Sequence, residues 1–178
     1  MNNTLPYLES AQKRASDNFS CGLSCSESVY EALLKSGAVS ERDAPLSTCS
    51  LCVGFSGGIG LSGLVCGALS AAVMAVGAKF GRKDPHANKP DAVQREKEHR
   101  RFNSMVGHFK TSMQTVICDE ITKPYQDNWD APERKARCAE AVAAAVATAC
   151  LHLALSEEET AALSWGYTIT KQQQAPGT

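Results

Sequence analysis

Eight cysteines, Cys21, Cys25, Cys49, Cys52, Cys66, Cys118, Cys138 and Cys150, are the residues of this chain best suited to chemistry of their own. Thiolates bind soft transition metals, hold iron–sulfur clusters, or trade electrons as dithiol and disulfide. Which of these applies depends on compartment and on how many thiols meet. The opening segment "MNNTLPYLES" has neither a basic n-region nor an apolar h-region, so we expect no signal peptide and a cytoplasmic location. There, an even cysteine count points to metal or redox chemistry rather than to a disulfide scaffold. A chain of 178 residues can also bury a sufficient core without crosslinks, which frees the thiols for other work.

Hydrophobic periodicity singles out four of the eight. Ser24 and Glu27 form an S-x-x-E capping box, so a helix starts at Cys25, with Val29 and Leu33 at i+4 and i+8 on the same side and Gly37 closing it. Cys66 lies in the uncharged run "IGLSGLVCGALSAAVMAVGAKF", where residues 64–78 predict a helix buried in protein. Cys118 stands at the edge of a stripe made by Phe102, Val106, Phe109, Met113, Ile117 and Ile121, the pattern of one helix over 92 to about 123 that Pro124 ends. Cys138 heads a row with Val142, Val146 and Ala149 in a last helix starting near Asp130, where Asp130 and Glu133 make a second capping pair and Pro132 falls in the first turn. One cysteine from each of four helices is how a bundle builds a metal site from facing side chains. At Cys25 and Cys66 a helix start, with its unpaired amides and macrodipole, favours the thiolate.

The elements that must position these thiols form one mainly α-helical domain over residues 1–170. We expect a bundle of about five helices in which a glycine-rich loop leads into a central buried helix. Hydrophobic residues make up 43% of the chain but aromatics only 6%, so alanine and glycine do the filling and helices can approach closely. A helix with a weak apolar face (Leu8, Ala11, Ala15, Phe19) opens the chain, polar links "SERDAPLST" and "GRKDPHANKPDAVQ" join the later ones, and the tail "KQQQAPGT" (171–178) reads as disordered.

Several other readings lose support. With 18 basic and 19 acidic residues there is no electrostatic case for nucleic acid, and "KEHRR" reads as a solvated helix face. The uncharged run 53–78 is long enough to cross a bilayer, but its glycine-rich first half makes a poor helix, so no membrane span is expected. Gly58, Gly60 and Gly63 satisfy G-x-G-x-x-G after "SLCVGF", yet "GRKDPHANKP" follows where a dinucleotide fold needs a second strand. No paired carboxylates, Ser-His-Asp order or phosphate loop support a hydrolase or kinase. Of the histidines, His86, His99, His108 and His152, only His108 is kept as a ligand or proton carrier. Cys49 and Cys52 in "CSLC", with Cys21, are accessory thiols for a metal, for alternative ligation or for a disulfide; Cys150 reads as core.

Over residues 19–151 the sequence resembles the redox-active family named for its C, GCAxxG, C, C signature, a relative of which forms the iron–sulfur-type domain of split-Soret cytochromes. The resemblance rests on "CGLSCSESVYEALL", "GFSGGIGLSGLVCGALSAAVMAVGAKFGR", "FNSMVGHFKTSMQTVICDEI" and "RCAEAV". It assigns the signature cysteines to Cys25, Cys66, Cys118 and Cys138, the four chosen by the helical faces. Its Gly-Ala pair falls at Gly67 and Ala68, while Ala71 stands where the motif closes with glycine. The resemblance implies a helical redox or metal-binding protein, with an iron–sulfur cluster as leading cofactor. Gly63, Gly67, Ala68, Ala71 and Ala72 would let backbone approach a bulky cluster or a neighbouring helix.

The expectation is therefore four thiolates converging on an iron–sulfur cluster or another thiolate-bound metal, exchanging electrons with a redox partner protein. Two alternatives stay open: a metal-free thiol–disulfide protein, and a small-molecule-binding module built on the glycine-rich loop. Two chains sharing the site as a homodimer would fit either redox reading.

Overall fold

The computed structural model describes residues 5–86 and 91–165, and within them the regular elements are helical. Seven α-helices run in the order α1 (Leu8–Ser20), α2 (Cys25–Lys35), α3 (Gly67–Phe80), α4 (Ala92–Met113), α5 (Cys118–Thr122), α6 (Pro132–Ala154) and α7 (Glu157–Ala162). Two 3₁₀ segments, Leu46–Phe55 and Lys123–Tyr125, lie between them.

Alanine-rich faces build the core. Ala141, Val142, Ala145, Val146 and Ala149 of α6 meet Ala68, Ala71, Ala72, Ala75 and Val76 of α3, and Val29, Ala32 and Leu33 of α2 close the third side. Side chains this small bring helix axes to the short end of the usual 8–10 Å spacing. Helix α1 adds Ala11 and Ala15 against α2 and α6, and α4 lays Met105, Phe109 and Met113 over the other side of α6. Arg14 of α1 grips the Glu31 carboxylate of α2, through Nε at 2.8 Å and a second contact from its terminal nitrogen, and so fastens the two helices at their rim.

The capping box at Ser24 forms as its sequence predicts: Ser24 Oγ accepts the Glu27 N–H, and Glu27 returns to the Ser24 N–H. Elsewhere periodicity misplaced the helix ends. The single helix predicted over 92 to about 123 breaks at Gln114, whose φ of 71° ends α4. Residues 115–117 are not helical, Ile117 is extended and pairs with Val65 in an isolated antiparallel bridge, and a new helix starts at Cys118. The helix predicted over 64–78 starts instead at Gly67, with Cys66 as its N-cap. Both departures share one cause: the backbone groups of 63–66 and 116–119 satisfy each other. The Cys66 N–H donates to Val116 O (2.8 Å), and the N–H groups of Cys118 and Asp119 donate to Leu64 O (2.6 Å) and Gly63 O (2.9 Å). Periodicity sees side chains only, so it cannot detect this exchange. The last long helix begins at Pro132 with Ala131 as N-cap and no side-chain cap, so Asp130 does not act as proposed; Pro132 occupies the first helical position, where its missing N–H costs nothing. Helix α7, opened by a Ser156–Glu159 capping box, was not separated by the sequence pattern. The 171–178 tail lies outside the described residues.

Helix α6 is long and apolar enough to cross a membrane, the only such helix among the described residues, but half of its apolar window is buried in this core.

Candidate functional site

The Val65–Ile117 bridge sets the site. Each bridge residue is followed at once by a cysteine, and each cysteine stands at a helix start: Cys66 caps α3, Cys118 opens α5. Cys25 opens α2 on the neighbouring side. A Cβ added to Gly67 would lie 3.1 Å from Cys25 Sγ and 2.3 Å from the Phe55 carbonyl oxygen, so Cys25 rests against the backbone of the residue next to Cys66. Gly58, at φ 74°, passes over Cys118 equally closely: its Cβ would meet Cys118 Cβ at 2.8 Å and the Leu64 nitrogen at 2.6 Å. Only glycine fits there on both counts. The fourth thiol, Cys138, comes from the second turn of α6, and with Cys25 and Cys118 it lines a cavity of about 650 Å³. Cys66 lies behind these three, 4% exposed.

The thiols feel one another. Burial, then Cys25 and more weakly Cys118, pushes Cys66 up to about 12 against the amides of Leu69 and Ala68, which pull the other way without closing a side-chain cap. Burial, then Cys25 and Cys138, raises Cys118 to about 11 against the pull of Arg134. Cys138 is raised by burial, lowered by Arg134 and raised by Cys25. The four signature cysteines thus form one electrostatic neighbourhood. For Cys66 this corrects the sequence expectation of a favoured thiolate: at 4% exposure desolvation outweighs two helix-terminal amides.

The cavity wall carries Arg134 and Lys135 and no acidic side chain. Arg134 stands one turn before Cys138 on α6, its guanidinium 3.3 Å from the centroid of the Trp129 ring and one terminal nitrogen donating to Trp129 O at 2.9 Å. Its Nε is buried with no partner. A buried donor left unmatched costs about 1–3 kcal/mol. Sequence reading passed over Arg134 and Trp129; the i−4 spacing of Arg134 from Cys138, which puts both on one helix face, was the available signal.

The remaining residues fall elsewhere. Cys21 is exposed at the end of α1, and Cys150 is buried in the core. Cys49 and Cys52 lie on the 3₁₀ segment against α2, outside the cavity lining. Gly63, at φ 75°, packs on Asp119, where a Cβ would come within 2.9 Å of the aspartate Cβ, while Gly67 and Ala68 form the buried first turn of α3. "SLCVGF" is 3₁₀ helix and not strand, which removes the context that Gly58, Gly60 and Gly63 would need as a dinucleotide fingerprint. His108 bonds His152 (Nδ1 to Nε2, 2.9 Å) and not the thiols, since His152 stands fourteen residues beyond Cys138 on α6, about 21 Å along the axis. Among the described residues, no three His, Cys, Asp or Glu side chains stand ready to hold a single metal ion.

Fold and site together define a helical protein that gathers thiols from four segments, three of them at helix starts, beside one cationic cavity. The chain belongs to the family described as "Putative redox-active protein (C_GCAxxG_C_C)", whose model matches residues 23–150. No curated protein and no solved structure matches the chain.

Proposed function

We propose that this redox-active family member is an electron-transfer protein in which Cys25, Cys66, Cys118 and Cys138 hold an iron–sulfur cluster, or failing that another thiolate-bound metal. The observation that carries the reading is the common neighbourhood of these four thiols, from α2, the α3 cap, α5 and α6, three of them lining one cavity and Cys66 buried beside Cys25 and Cys118. One feature of the surroundings supports an anionic occupant: the lining has two cations and no acid. A cluster is held by cysteine thiolates, usually four, and brings its own sulfides. When bound, such a cluster supplies one-electron chemistry; the chain's part is to hold it by four sulfurs, shield it from water, and set its potential through burial and Arg134.

The thiol–disulfide alternative has less support. Cys66 at about 12 and Cys118 at about 11 are neutral and unreactive near pH 7, whereas exchange needs a thiolate. Metal binding displaces those protons.

The test is iron and acid-labile sulfide analysis of anaerobically purified protein, with its visible spectrum. Brown protein containing both is expected, and Cys118→Ser should lose both while keeping its far-ultraviolet circular dichroism. Colourless wild-type protein with no iron, even after anaerobic reconstitution with iron and sulfide, would remove the cluster reading.

A further inference from the structure

Residues 44–78 contain no charged side chain, yet only part of this uncharged run is interior. Its α3 half packs into the core, whereas Leu51, Val53, Ile59, Leu61, Leu64 and Val65 are exposed, Leu61 by 67%. Backbone bonds gather them. The N–H of Gly60 donates to Gly54 O (2.9 Å), that of Leu61 to Ser56 O (3.0 Å) and that of Leu64 to Gly58 O (3.1 Å), which folds the glycine-rich loop back on the end of the 3₁₀ segment. Ile59 (φ 67°) and Leu61 (φ 63°) hold a left-handed backbone that large L side chains rarely adopt, and both side chains stand exposed instead of filling the core. Apolar groups gathered on a surface in this way mark a contact. Charge returns only at the margin: Asp119 packs beneath Gly63, and Arg134 and Lys135 share the cavity lining with Leu61. An apolar centre with a polar rim is the anatomy of an interface.

We propose that this face is where two copies of the chain meet, as a twofold dimer centred on Val53, Ile59, Leu61 and Leu64. Composition selects the occupant. Around a twofold axis like groups approach like, so a charged face repels its own copy and an uncharged face does not. Permanent homodimer contacts are aliphatic and resemble a core cut in two, whereas transient docking surfaces are more polar and draw on tyrosine, tryptophan and arginine. Apolar segments that lie on membranes are interleaved with lysine and arginine. Residues 44–78 hold leucine, isoleucine, valine and glycine and none of those four other types, which fits the first description and neither of the others. Ser56, Gly57 and Leu61 belong both to the loop and to the cavity lining, so the second copy sits at the edge of the thiol site. The dimer does not depend on what the thiols hold.

The test is sedimentation equilibrium of full-length protein, kept anaerobic and under reductant, over a roughly hundredfold concentration range. Twice the chain mass is expected for wild type. Aspartate tolerates left-handed backbone, so Leu61→Asp removes the apolar contact without adding strain. The substitution enters twice per dimer, and the dissociation constant should rise at least roughly a hundredfold while far-ultraviolet circular dichroism stays unchanged. Val53→Asp, outside the cavity lining, should do the same. Val93→Asp puts the same charge at an equally exposed valine on α4 and should leave the mass at the wild-type value. Wild type that is monomeric throughout the range, a dimer that both Leu61→Asp and Val53→Asp leave intact, or a monomer that cosediments with phosphatidylcholine–phosphatidylglycerol vesicles would each overturn the proposal. Colourless, iron-free wild type would remove the cluster and leave this mass measurement standing, so the two readings fail separately.

Discussion

The two ends of α6 carry the same kinds of group to different ends. Near its start, Arg134 and Cys138 meet Cys118 and Cys25 around a cavity of about 650 Å³; near its finish, His152 meets His108 and Arg101, and Arg101 lines a second cavity of about 310 Å³ with Glu98, His99 and Glu157. Each end has an arginine, and each leaves one buried nitrogen without a partner, Arg134 Nε and His152 Nδ1. At the far end, though, the arginine is fully used. Arg101 donates to the carbonyls of His152 and Leu155, caps the C-terminus of α6, and lies 3.8 Å from the centroid of the Phe80 ring. No thiol-lined cavity opens there. The contrast lies in what lines the space: three thiols and two cations with no acid at one end, mixed charges and no thiol at the other, where the arginine satisfies a helix end.

The strongest way to break this contrast is to empty the far end. His152 is fully buried, and His152→Ala should lower stability by about 3–4 kcal/mol in urea denaturation through the cavity it leaves. Iron content per folded chain should stay at the wild-type level. If His152→Ala abolishes iron in folded protein, the two ends are one functional unit and the contrast fails.

Acid probes the same end without a cavity. Burial, then His108 and Arg101, holds His152 down at about 4 against an ordinary 6.5. Between these values the unfolded chain binds a proton that the folded chain refuses, so stability should fall by about 3 kcal/mol as pH drops from about 6.5 through about 4. His152→Gln is close in volume and removes the titrating group, so this part of the pH slope should vanish.

At the near end, Gly67→Ala forces a methyl into the Phe55 carbonyl and against Cys25 Sγ. We expect about 2 kcal/mol of destabilisation from overpacking and, unlike at His152, loss of iron because Cys25 is displaced. Arg134→Gln should be milder in stability but should lower the reduction potential of the proposed iron centre by an amount on the order of tens of millivolts, since a cation beside the thiolates favours the more negative, reduced state. Arg134→Lys should recover most of that shift in spectroelectrochemical titration. An unchanged potential in Arg134→Gln would leave Arg134 as mere packing on Trp129.

These effects also measure how much could be read in advance. The rows of apolar residues behind Cys25 and Cys138 were legible because Val29, Leu33, Val142 and Val146 repeat at helical spacing, and they are buried as that spacing requires. The starts of α3 and α5 were not, because the backbone exchange between 63–66 and 116–119 joins segments some fifty residues apart and leaves no mark in either segment's periodicity. The polarity of the site was hidden for a similar reason. Helix-start logic argued for a thiolate at Cys66, but the degree of burial that reverses it is a tertiary fact. Arg134 could have been found from its one-turn spacing to Cys138; its unmatched Nε could not.

The smallest expected effect comes from a glycine that resembles Gly67 in sequence and differs in surroundings. Gly77 lies in the same helix, ten residues on, and the nearest atom to an added Cβ is Phe102 Cζ at 4.0 Å, an ordinary contact. Its φ is not in the left-handed region, so alanine there meets no backbone strain. Replacing a mid-helix glycine by alanine restricts the unfolded chain and should stabilise the protein by about 0.5–1 kcal/mol, with iron content and potential unchanged. The sign is the informative part: the same methyl, added to the same helix, should destabilise and strip the centre at 67 yet stabilise and leave it alone at 77. Were Gly77→Ala to cost stability or iron, the small residues of α3 would be serving helix packing along its whole length, and the special role assigned to its first turn would have to be given up.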